Sequence, residues 1–126
     1  MAKKILKSTS SLPYSRAFIQ NDPYTMEIAG QIGLKQGILV EGIEEQTKQT
    51  MENIKKILDE VGWDFSNLIK VRIYLKNMSD YKIVNKIYAK YFSDNYPSRV
   101  VVAVNELPLN ALIEIEASAS GEKIKH

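Results

Sequence analysis

Few residues in this chain can do chemistry. Histidine occurs once, as the last residue His126, and cysteine does not occur. No Ser-His-Asp triad or thiol–imidazole pair can be assembled from such a set, and a transition metal would find almost no nitrogen or sulfur ligands. Guanidinium, carboxylate, phenol and amide groups remain, and two stretches concentrate them. The first, PSRVVVAVNELP from Pro97, places Arg99 at the mouth of the apolar run Val100 to Ala103. A strand of this composition is buried on at least one face, and a cation buried without a partner costs roughly several kcal/mol, so Arg99 must hold something. The second stretch, LIEIEASA from Leu112, alternates: Ile113, Ile115 and Ala117 share one face, and Glu114 and Glu116 the other. Arg99 shares a face with Val101 and Ala103, and a hairpin through NELPLN predicts Arg99 and Glu114 close together at one end of a sheet. That juxtaposition has two readings. One is a structural ion pair; the other is a site in which Arg99 clamps a small carboxylate while Glu114 handles a water.

These strands need a frame. From Ile43 to Val61 the positions Ile43, Thr47, Thr50, Met51, Ile54, Ile57, Leu58 and Val61 recur at three and four residues, which predicts an amphipathic helix. Glu44 and Glu45 suit the positive end of its macrodipole, and Gly62 sits where a left-handed cap is expected. A second helix is predicted from an N-cap at Ser79 or Asp80 through Tyr81, Val84, Tyr88, Tyr91 and Phe92, ending before Pro97. TMEIAGQI, LIKVRIYL, RVVVAV and LIEIEASA are short, rich in β-branched residues and read as strands. Along LIKVRIYL, Ile69, Val71, Ile73 and Leu75 are expected on one face and Leu68, Lys70, Arg72 and Tyr74 on the other. SRAFIQ, from Ser15, is expected to pair with TMEIAGQI across a turn at Asn21 to Pro23.

The order β, β, β, α, β, α, β, β predicts an α+β two-layer sandwich, a mixed sheet with two helices on one face and a right-handed strand–helix–strand crossover. Its other face is left bare. With Tyr74, Val101 and Ala103 on it, that face is too apolar to stay wet, so an oligomer of identical chains is expected. The glycines of GQIGLKQG lack the spacing of a phosphate loop and read as a strand end and turn.

Bulk properties agree with one domain over residues 1–126. At 44% hydrophobic and 25% charged residues the chain is ordinary for a globular protein, and no stretch has the apolar length of a membrane span. The opening MAKKILKS lacks the apolar core of a cleaved leader, and the absence of cysteine fits a reducing compartment, so a cytoplasmic location is expected. Seventeen basic residues against fifteen acidic ones give a net charge of +2, spread along the chain, which argues against a nucleic-acid or membrane footprint.

Several blocks, in order, carry a family resemblance. PSRVVVAVNELPLNALIEIEASA (Pro97 to Ala119) resembles the C-terminal signature of the RidA (YjgF) family of enamine/imine deaminases. LPYSRA at Leu12, IAGQIGL at Ile28, QTMENIKKILDEVG at Gln49 and DYKIVNKIYAKYF at Asp80 are similar to its other blocks. The resemblance spans nearly the whole chain. It implies a chorismate-mutase-like fold, a homotrimer with clefts between subunits, and hydrolysis of 2-aminoacrylate-like enamines and imines to 2-keto acids and ammonia, with no cofactor and no metal.

Residue by residue, the resemblance implies that Arg99 binds the substrate carboxylate and that Glu114 positions the attacking water with the backbone carbonyl of Val101. Tyr14 corresponds to a cleft tyrosine, Gly30 to a glycine approached closely by ligand, and Asn85 to a polar residue near the site. Ala29 stands where many members carry serine, and Leu12 and Arg16 replace a glycine and a glutamine, departures that bear on substrate preference. Two other functions compete with deamination. One is a sensor of 2-keto acids that uses the same clamp without turnover. The other is an RNA-acting translation inhibitor, which a weak net charge and a lone terminal histidine disfavour.

Overall fold

The computed structural model describes residues 3–126. The helical periodicity is realised first in α1 (Ile43–Asp59), whose Met51, Ile54 and Leu58 are buried against the sheet. Glu44 and Glu45 occupy its first turn. Gly62 follows at φ 77°, a backbone state that suits glycine and closes the helix as expected. The second helix, α2 (Tyr81–Ala89), enters through a 3-10 turn at Met78–Asp80. It is shorter than its apolar pattern predicts. Tyr91 and Phe92 lie beyond its end yet still pack on the core, and Phe92 contacts the Tyr88 ring at 4.9 Å between centroids. Asp80 sits at the N-cap, but its side chain makes no capping hydrogen bond.

The strands are β1 (Lys3–Lys7), β2 (Ser15–Gln20), β3 (Tyr24–Gln31), β4 (Leu34–Lys35), β5 (Ile38–Leu39), β6 (Leu68–Leu75), β7 (Ser98–Ala103) and β8 (Ile113–Gly121). Six of them form one sheet in the order β1-β2-β7-β6-β8-β3, and β4 with β5 makes a small separate ribbon. The sheet is mixed: β6 and β7 run parallel around α2, and β2 meets β7 in parallel, while the remaining pairs are antiparallel. The predicted α+β sandwich is therefore present. Its core lies between the helices and the inner sheet face, built from Val71, Ile73 and Leu75 of β6 and Ile113, Ile115 and Ala117 of β8.

Three expectations about pairing are corrected. β2 does not pair with β3 across Asn21 to Pro23; it pairs with β1 and meets β7, while β3 lies at the opposite edge against β8. β7 and β8 form no hairpin through NELPLN, because β6 lies between them. Within β6, Leu68 is buried with the core residues instead of facing outward with Lys70, because an irregularity between Leu68 and Lys70 shifts the register.

Candidate functional site

Arg99 stands at the start of β7, in register with Val71 of β6. Val71 is a core residue, so Arg99 points to the helix side of the sheet and into partial burial. The guanidinium carbon sits 5.1 Å from the centroid of the Tyr88 ring and 5.9 Å from that of Tyr81. The ion pairs among the described residues, Lys48–Glu45 and Lys55–Asp59, do not involve it. Its Nη1 atom is buried with no hydrogen-bond partner. Burial draws the guanidinium's pKa below its ordinary value, and the Tyr88, Tyr81 and Tyr14 phenols act in the opposite direction. Each partly desolvated ring face contributes about 0.5–2 kcal/mol to such a cation. Those faces stabilise the charge while leaving the carboxylate-binding role open, and the ion-pair reading with Glu114 has no geometric basis within the chain.

Helix α2 supplies the floor. Tyr81, Asn85 and Tyr88, four and then three residues apart, share one helical face. Asn85 is 9% exposed, with its Oδ1 buried and unpartnered, and the Tyr88 hydroxyl is likewise buried without a partner. Full burial pushes the Tyr88 phenol well above its ordinary pKa. Sequence reasoning read Tyr81 and Tyr88 only as apolar helix positions. The signal that marks them as more than core is a lone arginine on the neighbouring strand, and it becomes visible only once β7 is placed beside β6.

Tyr14 lies in the connection between β1 and β2, next to Ser15, whose Cα partner across β7 is Ser98. It lines a small cavity of about 190 Å³ together with Ser8, Ser10 and Asn95. Hydrogen bonding by the Ser8 and Ser10 hydroxyls lowers its phenol pKa, with a smaller contribution from the charge of Arg99. Arg99, Asn85 and Tyr14 thus belong to one neighbourhood. Val101 joins it from two residues further along β7: it is in register with Ile73 and packs on the core. This corrects the expectation that Val101 shares the bare face with Tyr74, whose partner in register is Val102; Ala103 likewise is in register with the buried Leu75. A larger groove of about 520 Å³, lined by Phe18, Phe65, Tyr91 and Tyr96, contains none of the candidate residues.

Glu114 belongs elsewhere. Its neighbours Ile113 and Ile115 are buried in the core, so Glu114 and Glu116 project from the opposite face, as the alternation of β8 predicts. There Glu114 is in register with Tyr74, and the Tyr74 hydroxyl donates to Glu116 Oε1, a bond that raises the phenol pKa. The Glu114 carboxylate lies against Gly30: a Cβ built on Gly30 would sit 1.8 Å from Oε2. A pairing irregularity between Ile28 and Gln31 contains Ala29 and Gly30, and the exposed Ala29 accepts a hydrogen bond at its carbonyl from Gln31 Nε2 at 3.2 Å. Asn53 of α1 fixes the chain just past β3 by donating to the carbonyls of Ile32 at 3.1 Å and Leu34 at 3.0 Å. Within one chain the candidate residues therefore form two groups on opposite faces of the sheet. Arg99, Asn85, Tyr14 and Val101 make one; Glu114, Gly30 and Ala29 make the other.

Residues 5–120 match the family model described as Endoribonuclease L-PSP. The chain belongs to this family, the RidA (YjgF) family. A RutC family protein of Pyrococcus horikoshii is 46% identical over 113 residues, covering 87% of this chain and 88% of that protein. The 2-iminobutanoate/2-iminopropanoate deaminase of Homo sapiens is 41% identical over 110 residues, covering 85% of this chain and 79% of that one. Among solved structures, a Rid-family protein of Yersinia pestis superposes with a TM-score of 0.84 at 28% identity, over 96% of this chain and all of that one. The RidA-type fold is thus shared along with the sequence blocks. As in the sequence reading, no helix among the described residues is long and apolar enough to cross a membrane.

Proposed function

We propose that this protein hydrolyses small 2-imino acids, and the enamines that tautomerise to them, to 2-keto acids and ammonia, in crevices completed by neighbouring copies of the chain. The observation that carries this reading is Arg99: a partly buried guanidinium held against two aromatic faces, with an unpartnered Nη1 and no carboxylate paired to it among the described residues. Such a group suits a small organic acid, because a two-pronged charge-assisted contact neutralises it and orients the planar imine. The names of the human and other mammalian relatives support the substrate class. We assign Asn85, Tyr14 and the Val101 carbonyl to the Arg99 side of the crevice, and Glu114 with Gly30 and Ala29 to the side presented by the next protomer. The opposite-face arrangement favours this division, since no single chain brings the two groups together.

The chemistry asks little of the protein. Water aligned by Glu114 adds to the carbon bearing nitrogen, its proton passes to the leaving nitrogen, and the resulting carbinolamine breaks its C–N bond to release ammonia and the keto acid. An imine is already electrophilic, so holding it beside an oriented water with modest acid/base assistance supplies the catalysis. On this reading the oligomer is a homotrimer, the reaction runs in the cytoplasm, and no cofactor takes part.

The test is turnover of freshly generated 2-aminoacrylate or 2-iminobutanoate, followed by keto-acid formation. The wild-type protein is expected to accelerate hydrolysis over buffer, and Arg99→Ala to lose that acceleration by at least about a hundredfold while keeping its circular dichroism and oligomeric state. Wild-type rates in Arg99→Ala would end the mechanism. Tight keto-acid binding by a wild-type protein that gives no acceleration would favour a sensor.

A further inference from the structure

Tyr88 is fully buried, yet its hydroxyl has no hydrogen-bond partner. A tyrosine kept in a core for its hydroxyl would have that hydroxyl anchored, so the part in use here is the ring. Against that ring lies the guanidinium of Arg99, at 5.1 Å, with the Tyr81 ring at 5.9 Å. A carboxylate would engage a guanidinium at its N–H edge, where a substrate must bind. The Tyr88 ring attracts the cation through its π face, and its unpartnered hydroxyl takes none of that edge, whereas Tyr81 adds a hydrogen-bonding hydroxyl to its ring.

We propose that Tyr88 is a positioning residue for Arg99: its ring, aided by that of Tyr81, seats the cation in place of a counter-ion, keeping it oriented and unneutralised for an incoming carboxylate. This inference rests on the carboxylate-binding role assigned to Arg99. Tyr88 touches no reacting atom, and its effect is carried entirely by the guanidinium. Residue 81 lies less deeply buried and plays the lesser part.

Calorimetric titration with 2-oxobutanoate tests it without relying on turnover. Tyr88→Leu is expected to weaken binding about tenfold, and Tyr88→Phe, which keeps the ring, to restore most of the loss. Leucine is smaller than tyrosine and leaves space in the core, so a second series preserves shape: phenylalanine carrying one, two and three ring fluorines at position 88, which withdraws charge from the π face stepwise. Affinity should fall at each step, with KM rising more than kcat falls. Folded Tyr88→Leu binding as tightly as wild type, or a fluorinated series with flat or increasing affinity, overturns the positioning role alone. A wild-type protein that binds no 2-oxobutanoate overturns the assignment of Arg99 itself, and with it this inference.

Discussion

At the scale of single residues, the protein tolerates buried polar atoms that have no partner, and each has a consequence. The Tyr88 hydroxyl is dehydrated without an intramolecular bond in return, so Tyr88→Phe should raise unfolding stability near neutral pH by about 1 kcal/mol. The same residue sets an alkaline limit. Its phenol is raised above the ordinary 10.0, as is that of Tyr74, so the folded chain holds protons that the unfolded chain gives up. Stability from these two groups is complete below pH 10 and declines as pH climbs towards their raised values. The depressed pKa of Arg99 works in the other sense, its contribution growing as pH rises from its lowered value towards the ordinary one. Denaturant unfolding measured from pH 8 to 11 should therefore show a shallower alkaline decline in Tyr88→Phe than in wild type. Parallel curves would assign the decline to other groups. Arg99 itself was legible in the sequence as an anomaly, but its orientation was not. Val100, Val101 and Val102 are all apolar, so alternation along β7 carries no phase, and only its pairing with β6 decides which side the guanidinium takes.

At the scale of elements, legibility followed the strength of the local pattern. The α1 helix and the strand LIKVRIYL were readable because charged and apolar residues alternate with a clear period. Pairing was not readable where local turn chemistry gave a competing answer: NDP between β2 and β3 resembles a hairpin turn, yet it joins the second strand of the sheet order to the far edge strand. The end of α2 was overrun in the reading because Tyr91 and Phe92 continue to face the core after the helical backbone has stopped. One inter-element contact that sequence does not announce is Asn53, which reaches from α1 to the two carbonyls just past β3 and accepts from Gln49 at 2.9 Å. Asn53→Ala should cost about 1 kcal/mol, because both carbonyls lose this donor although Ile32 still accepts from the Leu34 N–H at 2.8 Å, and should reduce deamination by loosening the strand end beside Glu114. Unchanged melting and turnover would mean that this strand end is held by other contacts.

At the scale of the whole molecule, the separation of Arg99 from Glu114 makes the division of labour between chains testable. Val100 and Val102 on the outer face are 40% and 39% exposed, and they lie on the sheet surface that also carries the Tyr74–Glu116 pair. Arg99→Ala and Glu114→Ala proteins should each be inactive alone. Unfolded and refolded together in equal amounts, they should regain about a quarter of wild-type activity, because in a closed ring that fraction of crevices draws an intact arginine from one chain and an intact glutamate from the next. No recovery, with mixed oligomers verified by mass spectrometry, would place both residues' work within one chain. The sheet also has a weak seam. The hairpin of β1 and β2 meets the rest of the sheet in parallel at Ser15 and Ser98, reinforced by Ser15 bonds to the carbonyls of Tyr96 and Pro97. So slight a fastening lets this flap detach while the centre stays intact, and its amides should trade hydrogen for deuterium well ahead of those in β6. Tyr14, at the flap's hinge, is thereby tied to breathing of the margin, whereas Arg99 is fixed to the part that stays still.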